Sequence, residues 1–499
     1  MLVPIVALFG RAFRLEKLKD LFSISVLAVT VYYIHRLQGY VEASPSKVVV
    51  YHLAAYSPPL GVSYRADHLS IFMAYLFVGV GLLVAVYSLK YMEHDIGVEK
   101  YYALLLAMVG GMVGVSFAGD LFNLFIFWEV MSISAYVLVA YRKHHWEPVE
   151  ASFKYLVMST FGSILFLYAM SFLYGLTGTL DMTYVAEGLA LVKPSGIVLL
   201  ALAAMFICGF GVTASIVPFH TWLPDAHPAA PASISAMLSG VVIKVGVYAV
   251  YRVLFTVFDP FSFDFGTVLI LFGLVTMTVA NLMALLQSDV KRLLAYSSVV
   301  NIGYILAGVG IGAYALSNYY PTTPTVAALV AVLAIEGSLF HIFNHAVGKG
   351  LLFLGTGCFI HEAKSRDLSE LEGIGRRMPW TGFSFSIGLL TLAGVPPFSG
   401  FWSKLFIILA GFNLAQSPFL VGATIVIVLN SILAAVYYLW VLQRLVIKAP
   451  RPAIEMAREV SPIMVAPIVI LAVITILAGV WPGLVINAVE SATRALIGW

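Results

Sequence analysis

SGVVIKVGVYAVYR, residues 239–252, is an apolar run interrupted at its centre by a single lysine, Lys244. Runs of this kind recur along the whole chain. Of 499 residues, 61% are hydrophobic and 11% are charged, about half the charged share of a soluble domain, and the apolar residues form long stretches instead of periodic stripes. A bilayer core takes about 20 apolar residues per helix. Spans are expected near 1–13, 20–37, 67–91, 101–118, 121–141, 151–176, 195–216, 230–254, 265–287, 292–314, 325–359, 380–411, 418–443 and 462–485. No polar stretch between them is long enough for a separate soluble domain. The fold class read from this pattern is all-α, a polytopic membrane protein of about fourteen transmembrane helices. The first span is short before it meets Arg11, and its charges follow the apolar stretch, the reverse of a cleavable signal.

Composition also removes several function classes. The net charge is +3 and the basic residues are scattered, so nothing suggests a nucleic-acid partner. Cys208 and Cys358 each stand alone in an apolar run, without the paired spacing of an iron–sulfur or zinc site. No glycine-rich phosphate loop ending in Gly-Lys-Ser/Thr occurs, and no nucleophile, base and orienting group fall together in a catalytic motif. The chain is expected to hold no cofactor, no metal and no active site of its own. Energy for any work it does must come from an ion gradient or a partner.

Orientation follows from the basic residues in alternate loops. With the amino terminus outside, the inner loops collect most of them, including Arg142, Lys143, Lys291, Arg292, Arg376, Arg377 and Arg444, while the outer segments hold Arg36, Lys47, Arg65, Lys193 and Arg494. Both termini are therefore expected outside the cytoplasmic membrane.

An isolated charge at the bilayer centre costs at least about 3 kcal/mol and persists when it is paired, hydrated or functional. Lys244, Lys349 in HIFNHAVGKG and Lys404 in GVPPFSGFWSKLFII are such charges; the acids set against them are Glu129 in LFIFWEVMSISAY and Glu336 in LAIEGSLF. His341, His345 and Lys349 recur every four residues, which puts them on one helical face at steps of about 6 Å. Histidine titrates near neutrality, as a proton relay requires. A metal site at His341 and His345 would need a third ligand that the spacing does not provide. His220, Asp225 and His227 read either as an ion entrance or as a polar loop with a helix cap. Lys154 reads as a snorkelling side chain near a span end. Pro218, and Pro396 with Pro397, interrupt apolar runs at mid-span, leaving backbone groups that neighbours or cavity water must satisfy. Paired breaks of this kind point to a transporter with internal repeats.

Four segments resemble one family: VPFHTWLPDAHPAAPASISAMLSGVVIKVGVYAVYR (217–252), SDVKRLLAYSSVVNIGY (288–304), LFHIFNHAVGKGLLFLGTG (339–357) and LAGVPPFSGFWSKL (392–405). They are similar to the antiporter-like subunits shared by respiratory complex I, Mrp sodium/proton antiporters and membrane-bound hydrogenases, and the likeness runs from about residue 65 to 445. The resemblance implies fourteen helices with two inverted five-helix repeats, each a half-channel, joined by a central polar axis. It implies N-terminal helices over 1–100, a first repeat over 101–255, a second over 265–445, and a C-terminal loop and last helix over 446–499. It assigns ion translocation to Glu129, Lys244, His341, His345, Lys349 and Lys404. One position departs from the family: where a seventh-helix lysine usually stands seven residues before the histidine of the PFH motif, this chain has Thr213. Glu129 then loses its usual counter-charge. Three readings stay open: Lys244 substitutes, the first half-channel is impaired, or Glu129, Thr213 and Ser215 offer oxygen ligands to sodium. The resemblance further implies a subunit of a multi-subunit complex, redox-driven through partner chains with iron–sulfur clusters, or else a subunit of an Mrp-type antiporter or a scaffold that no longer translocates ions.

Overall fold

A computed structural model describes residues 5–6, 17–59 and 61–498; the first expected span, 1–13, lies almost wholly outside them. The helices, in chain order, are α1 (Leu18–Ala43), α2 (His68–Tyr91), α3 (Val98–Phe117), α4 (Leu121–Val139), α5 (Trp146–Thr177), α6 (Met182–Val192) and α7 (Gly196–Ala214). They continue as α8 (Leu223–Ala229), α9 (Ala232–Val257), α10 (Gly266–Leu285), α11 (Val290–Tyr319) and α12 (Pro324–Ala363). The last are α13 (Pro379–Ala393), α14 (Ser399–Asn413), α15 (Pro418–Ile447), α16 (Pro462–Val480) and α17 (Gly483–Ile497). Among the described residues 12 helices are long and apolar enough to cross a membrane, so the chain is an all-α, multi-pass membrane protein.

Short polar residues set where the helices begin. Asp67 opens α2 with a capping box, accepting the Ser70 amide at 3.0 Å while the Ser70 hydroxyl receives the Asp67 amide at 2.8 Å. Asp120 caps α4 through the Asn123 amide at 2.7 Å, and Asp289 caps α11 through the amides of Lys291 and Arg292 at 2.8 and 3.0 Å. Both interruptions expected from proline are present. α7 stops at Ala214, with Ser215 left-handed at φ 58°, and α13 stops at Ala393, with Gly394 left-handed at φ 83°. The expected span 380–411 is thus two half-length helices, α13 and α14, separated by residues 394–398.

Packing is tightest at the centre. The whole apolar stretch of α9 is buried, as is nearly all of that of α11, whereas α1 stands at the edge with most of its surface uncovered. Close approach is made by small residues: a Cβ on Gly246 of α9 would come within 2.8 Å of the Phe210 carbonyl oxygen of α7. The loops on one face are tied together by ion pairs, Arg142–Asp95 at 2.9 Å, Arg366–Glu147 at 2.9 Å and Arg444–Glu372 at 2.7 Å. The opposite face carries a two-stranded antiparallel hairpin, β1 (Val49–His52) and β2 (Ser63–Ala66).

Two elements differ from the sequence reading. The hairpin falls in a stretch read only as an outer segment; it is held by Asp120 and Asp181, which accept the Ser63 amide at 2.9 Å and hydroxyl at 2.7 Å, contacts 57 and 118 residues away in the chain. The last span ends at Val480, before Pro482, and the residues after it form α17 instead of a plain tail. α17 is amphipathic: it buries Val485, Val489, Ala492 and Leu496 and pairs Glu490 with Arg494 at 2.7 Å on its outer side.

Candidate functional site: a buried line of lysines and histidines

The spine of the site is α11. One face of it presents the Leu294 carbonyl, Ser297, Ser298, Asn301 and Tyr304 at successive helical turns, and each meets an ionisable side chain or its immediate partner. Lys349 of α12 donates to the Leu294 carbonyl at 2.8 Å and to the Ser297 hydroxyl, with the Tyr438 ring 6.0 Å away. Ser298 bonds Ser239 at 2.6 Å, and the Ser239 carbonyl accepts from Lys244. Asn301 faces His341 Nε2 at 3.0 Å through its oxygen and donates to Tyr438 at 3.1 Å through its nitrogen. The Tyr304 ring lies 5.0 Å from Lys404 Nζ and 5.7 Å from the His341 ring.

Local backbone geometry explains two of these placements. Residues Leu238–Val242 form a π-helical turn inside α9, and such turns leave carbonyls outside the regular ladder; Lys244 takes the Ser239 carbonyl five residues back. At the second break, α13 ends with unpaired carbonyls that carry the negative pole of the helix. Lys404 donates to two of them, Leu392 at 2.9 Å and Ala393 at 3.4 Å. Lys291 makes a similar contact at another helix end, donating at 2.6 Å to the carbonyl of Ala230, the residue that closes α8. All four ammonium groups are buried and held by neutral oxygens.

The histidines differ in their partners. His341 is satisfied on both nitrogens, by Ser403 of α14 at 2.9 Å and by Asn301. His345 is fully buried, its ring stacked 6.5 Å from that of His341, and neither of its nitrogens has a hydrogen-bond partner among the described residues. His227 of α8 is alike: buried, unpaired on both nitrogens and stacked on Phe353 at 4.5 Å. His220 is half-buried, with its ring 6.4 Å from Tyr296.

The remaining expected residues lie apart from this line. Glu129 is half-buried on α4 and accepts a hydrogen bond from Ser163 of α5 at 2.5 Å; among the described residues no hydrogen bond or ion pair joins it to Lys244 or to the buried Thr213. Asp225 pairs with Lys154 at 2.9 Å and with Arg292, in a charged cavity of about 230 Å³ that also holds Glu147, Glu150, Asp289 and Arg366. Lys154 is half-exposed there, with Glu150 at 3.0 Å as a second partner. Glu336 is half-buried on α12 and within electrostatic reach of Glu490 and Arg494 of α17. Arg252, buried in α9, grips Asp67 with two hydrogen bonds of 2.6 and 2.7 Å and takes Tyr248 at 3.0 Å.

Sequence reasoning missed the spine. Ser297, Ser298 and Asn301 were in view within SDVKRLLAYSSVVNIGY, but small polar side chains in an apolar span look inert until the lysines of other helices are placed against them. Their recurrence at helical spacing in so apolar a helix was the available signal. Lys291, read as a loop charge, is buried in the first turn of α11.

A multi-pass helical bundle whose most buried helices carry ammonium and imidazole groups, arranged on half-broken helices, is the architecture of a membrane ion-handling protein. The pattern described as NADH:quinone oxidoreductase/Mrp antiporter, TM, matches residues 118–322 and 324–430, and that of the complex I chain 5 N-terminus matches residues 54–102. The chain belongs to this NADH:quinone oxidoreductase/Mrp antiporter family of membrane proteins. It is 32% identical to NADH-quinone oxidoreductase subunit N of Desulforudis audaxviator, over 83% of this chain and 78% of that one. It is 31% identical to a Na(+)/H(+) antiporter subunit of Alkalihalophilus pseudofirmus, over 83% of this chain and 80% of that one. A chain in the structure of the membrane-bound sulfane sulfur reductase, an archaeal respiratory membrane complex, superposes with a TM-score of 0.86 at 29% identity, covering 99% of this chain and 95% of that one.

Proposed function

We propose that the chain is an antiporter-like subunit that moves protons or sodium ions within a multi-subunit complex of the cytoplasmic membrane, driven by a redox module on partner chains that carry iron–sulfur clusters. The observation that carries this reading is the continuity along α11: Lys244, Lys349, His341 and Lys404 are joined through Ser239, Ser298, Ser297, Asn301 and Tyr304 in otherwise apolar, buried helices. Buried polar groups without partners draw water, and His345 stands where a water would connect His341 to the lysines. The inverted repeats over 101–255 and 265–445 are supported by the two matching breaks, at Ser215 and at Gly394, each with a left-handed residue closing the helix before a proline.

The redox-driven setting is supported by the sequence identity to the sulfane sulfur reductase chain, 29% against 24% for an Mrp-complex chain of equal coverage; identification of the chains that purify with this one tests it, and a partner set without iron–sulfur proteins would favour the Mrp-type reading. The translocating role is tested at Lys404. Guanidinium hardly gives up its proton, so Lys404→Arg is expected to impair ion movement nearly as much as Lys404→Ala in sealed vesicles. Normal movement by the arginine variant would make Lys404 a fixed counter-charge. A narrower reading is favoured by Glu129, which accepts from a serine and forms no ion pair among the described residues: the first half-channel is weakened or selects sodium, and the Lys404 half carries the proton traffic.

A further inference from the structure

A cavity of about 640 Å³ lies between α1, α2, α12, α16 and α17, on the side of α12 away from the histidines. From His68 to Leu83 its wall follows sixteen residues of α2, a depth of about 22 Å. One bilayer leaflet with its headgroup zone is about 20–22 Å thick. Polarity is ordered along that depth. At the hairpin face the lining is Gln38, Glu42, His68, Asn487 and Ser491; deeper it is apolar, with Leu76, Val80, Leu83, Phe343, Val347 and Leu471.

The polar end is built. Gln38 donates to Glu42 at 2.8 Å and accepts from Tyr75 at 3.0 Å, while Lys47 holds the Glu42 backbone carbonyl at 2.7 Å. The mouth therefore offers a carboxylate, with an ammonium group close behind it, and neutral donors. Gly79 lines the middle of the groove, and a Cβ placed on it would meet nothing within 4 Å. Gly79 is partly exposed, and no side chain among the described residues fills the groove beside it.

We propose that this cavity is a binding site for one membrane lipid of the hairpin-side leaflet, with an acyl chain along α2 and a zwitterionic headgroup between Glu42, His68 and Asn487. The volume falls in the range of small-molecule sites, the length is that of one leaflet, and the mixed charge at the mouth matches a headgroup bearing both signs. A lipid seated there closes the side of α12 that backs onto the ion path, so that the membrane face of that helix is fixed by the bilayer itself.

The test uses the intact complex in phosphatidylcholine vesicles containing a phosphatidylcholine whose acyl chain bears a diazirine. Photolysis is expected to place carbene adducts on His68–Tyr91 and on Gly483–Ile497. Gly79→Leu fills the groove without a clash and raises helix propensity; displacing about two methylenes lowers occupancy about tenfold, read as the loss of those adducts relative to adducts on exposed Phe161 and Ile164 of α5. Ala488→Phe fills it from the α17 side and is expected to act alike should the first variant fail to assemble. Adducts unchanged in both variants, or absent from both segments in the unmodified chain, would overturn the site. Equal labelling by an anionic phosphatidylglycerol analogue would overturn the headgroup assignment.

Discussion

Two residues show how differently buried charge is handled here. Arg252 is fully paired: burial would raise the Asp67 carboxyl, yet the guanidinium, its hydrogen bonds and the Ser70 amide hold it down to about 2. An acid with a depressed value adds stability that is present above its unfolded value of about 3.9 and fades as pH falls through about 2. The clamp is therefore expected to hold across the neutral range. Asp67→Asn leaves the guanidinium buried without a counter-charge, a loss of about 3–5 kcal/mol, checked as a lower midpoint of thermal unfolding in detergent at neutral pH; an unchanged midpoint would mean that the pair is not a structural clamp. Thr213 is the opposite case, a neutral residue where the family resemblance leads one to expect a lysine. Thr213→Lys is expected to increase proton movement if the first half-channel lacks only its cation, since an opposite charge favours ionised Glu129. In a sodium pocket the same variant is expected to abolish sodium stimulation. Vesicle uptake with and without sodium separates the two by sign, and no response in either condition marks that half as silent.

At the scale of the element, α11 does what no single titratable residue does: its oxygens hold Lys349 and His341 of α12, while its Ser298 and Tyr304 touch Ser239, the partner of Lys244, and Lys404 itself. Asn301→Leu removes the acceptor of His341 and the donor to Tyr438 while keeping the volume near constant. Leaving such buried groups unpaired costs about 1–3 kcal/mol, so coupled ion movement is expected to drop roughly tenfold. Asn318→Leu, on the exposed end of the same helix, is expected to leave it unchanged; equal losses in both would point to damage of the helix instead of the path. The same contrast explains what the sequence made legible. Lys244, Lys349 and Lys404 announced themselves because a charge in an apolar run is anomalous on its own. Ser297, Ser239 and the π-helical turn acquire meaning only from partners on other helices, and the hairpin from aspartates at the starts of two distant helices.

For the whole molecule, span positions were legible because the bilayer imposes one length on every helix, and the breaks because proline leaves backbone groups unpaired. Orientation is expected from the clustering of Arg142, Arg366 and Arg444 on one face: cysteines introduced beside Lys143 or Arg376 should react only from the cytoplasmic side, and outside labelling would invert the topology. The closing helix adds a constraint of another kind. α17 and α16 pack on α2, so an early part of the chain finds its neighbours far along the sequence. Contacts so distant in sequence form late. During synthesis α2 must wait, with its flank open to the bilayer, until residues 483–497 have left the ribosome, and only then can that flank be covered by the chain's own helix.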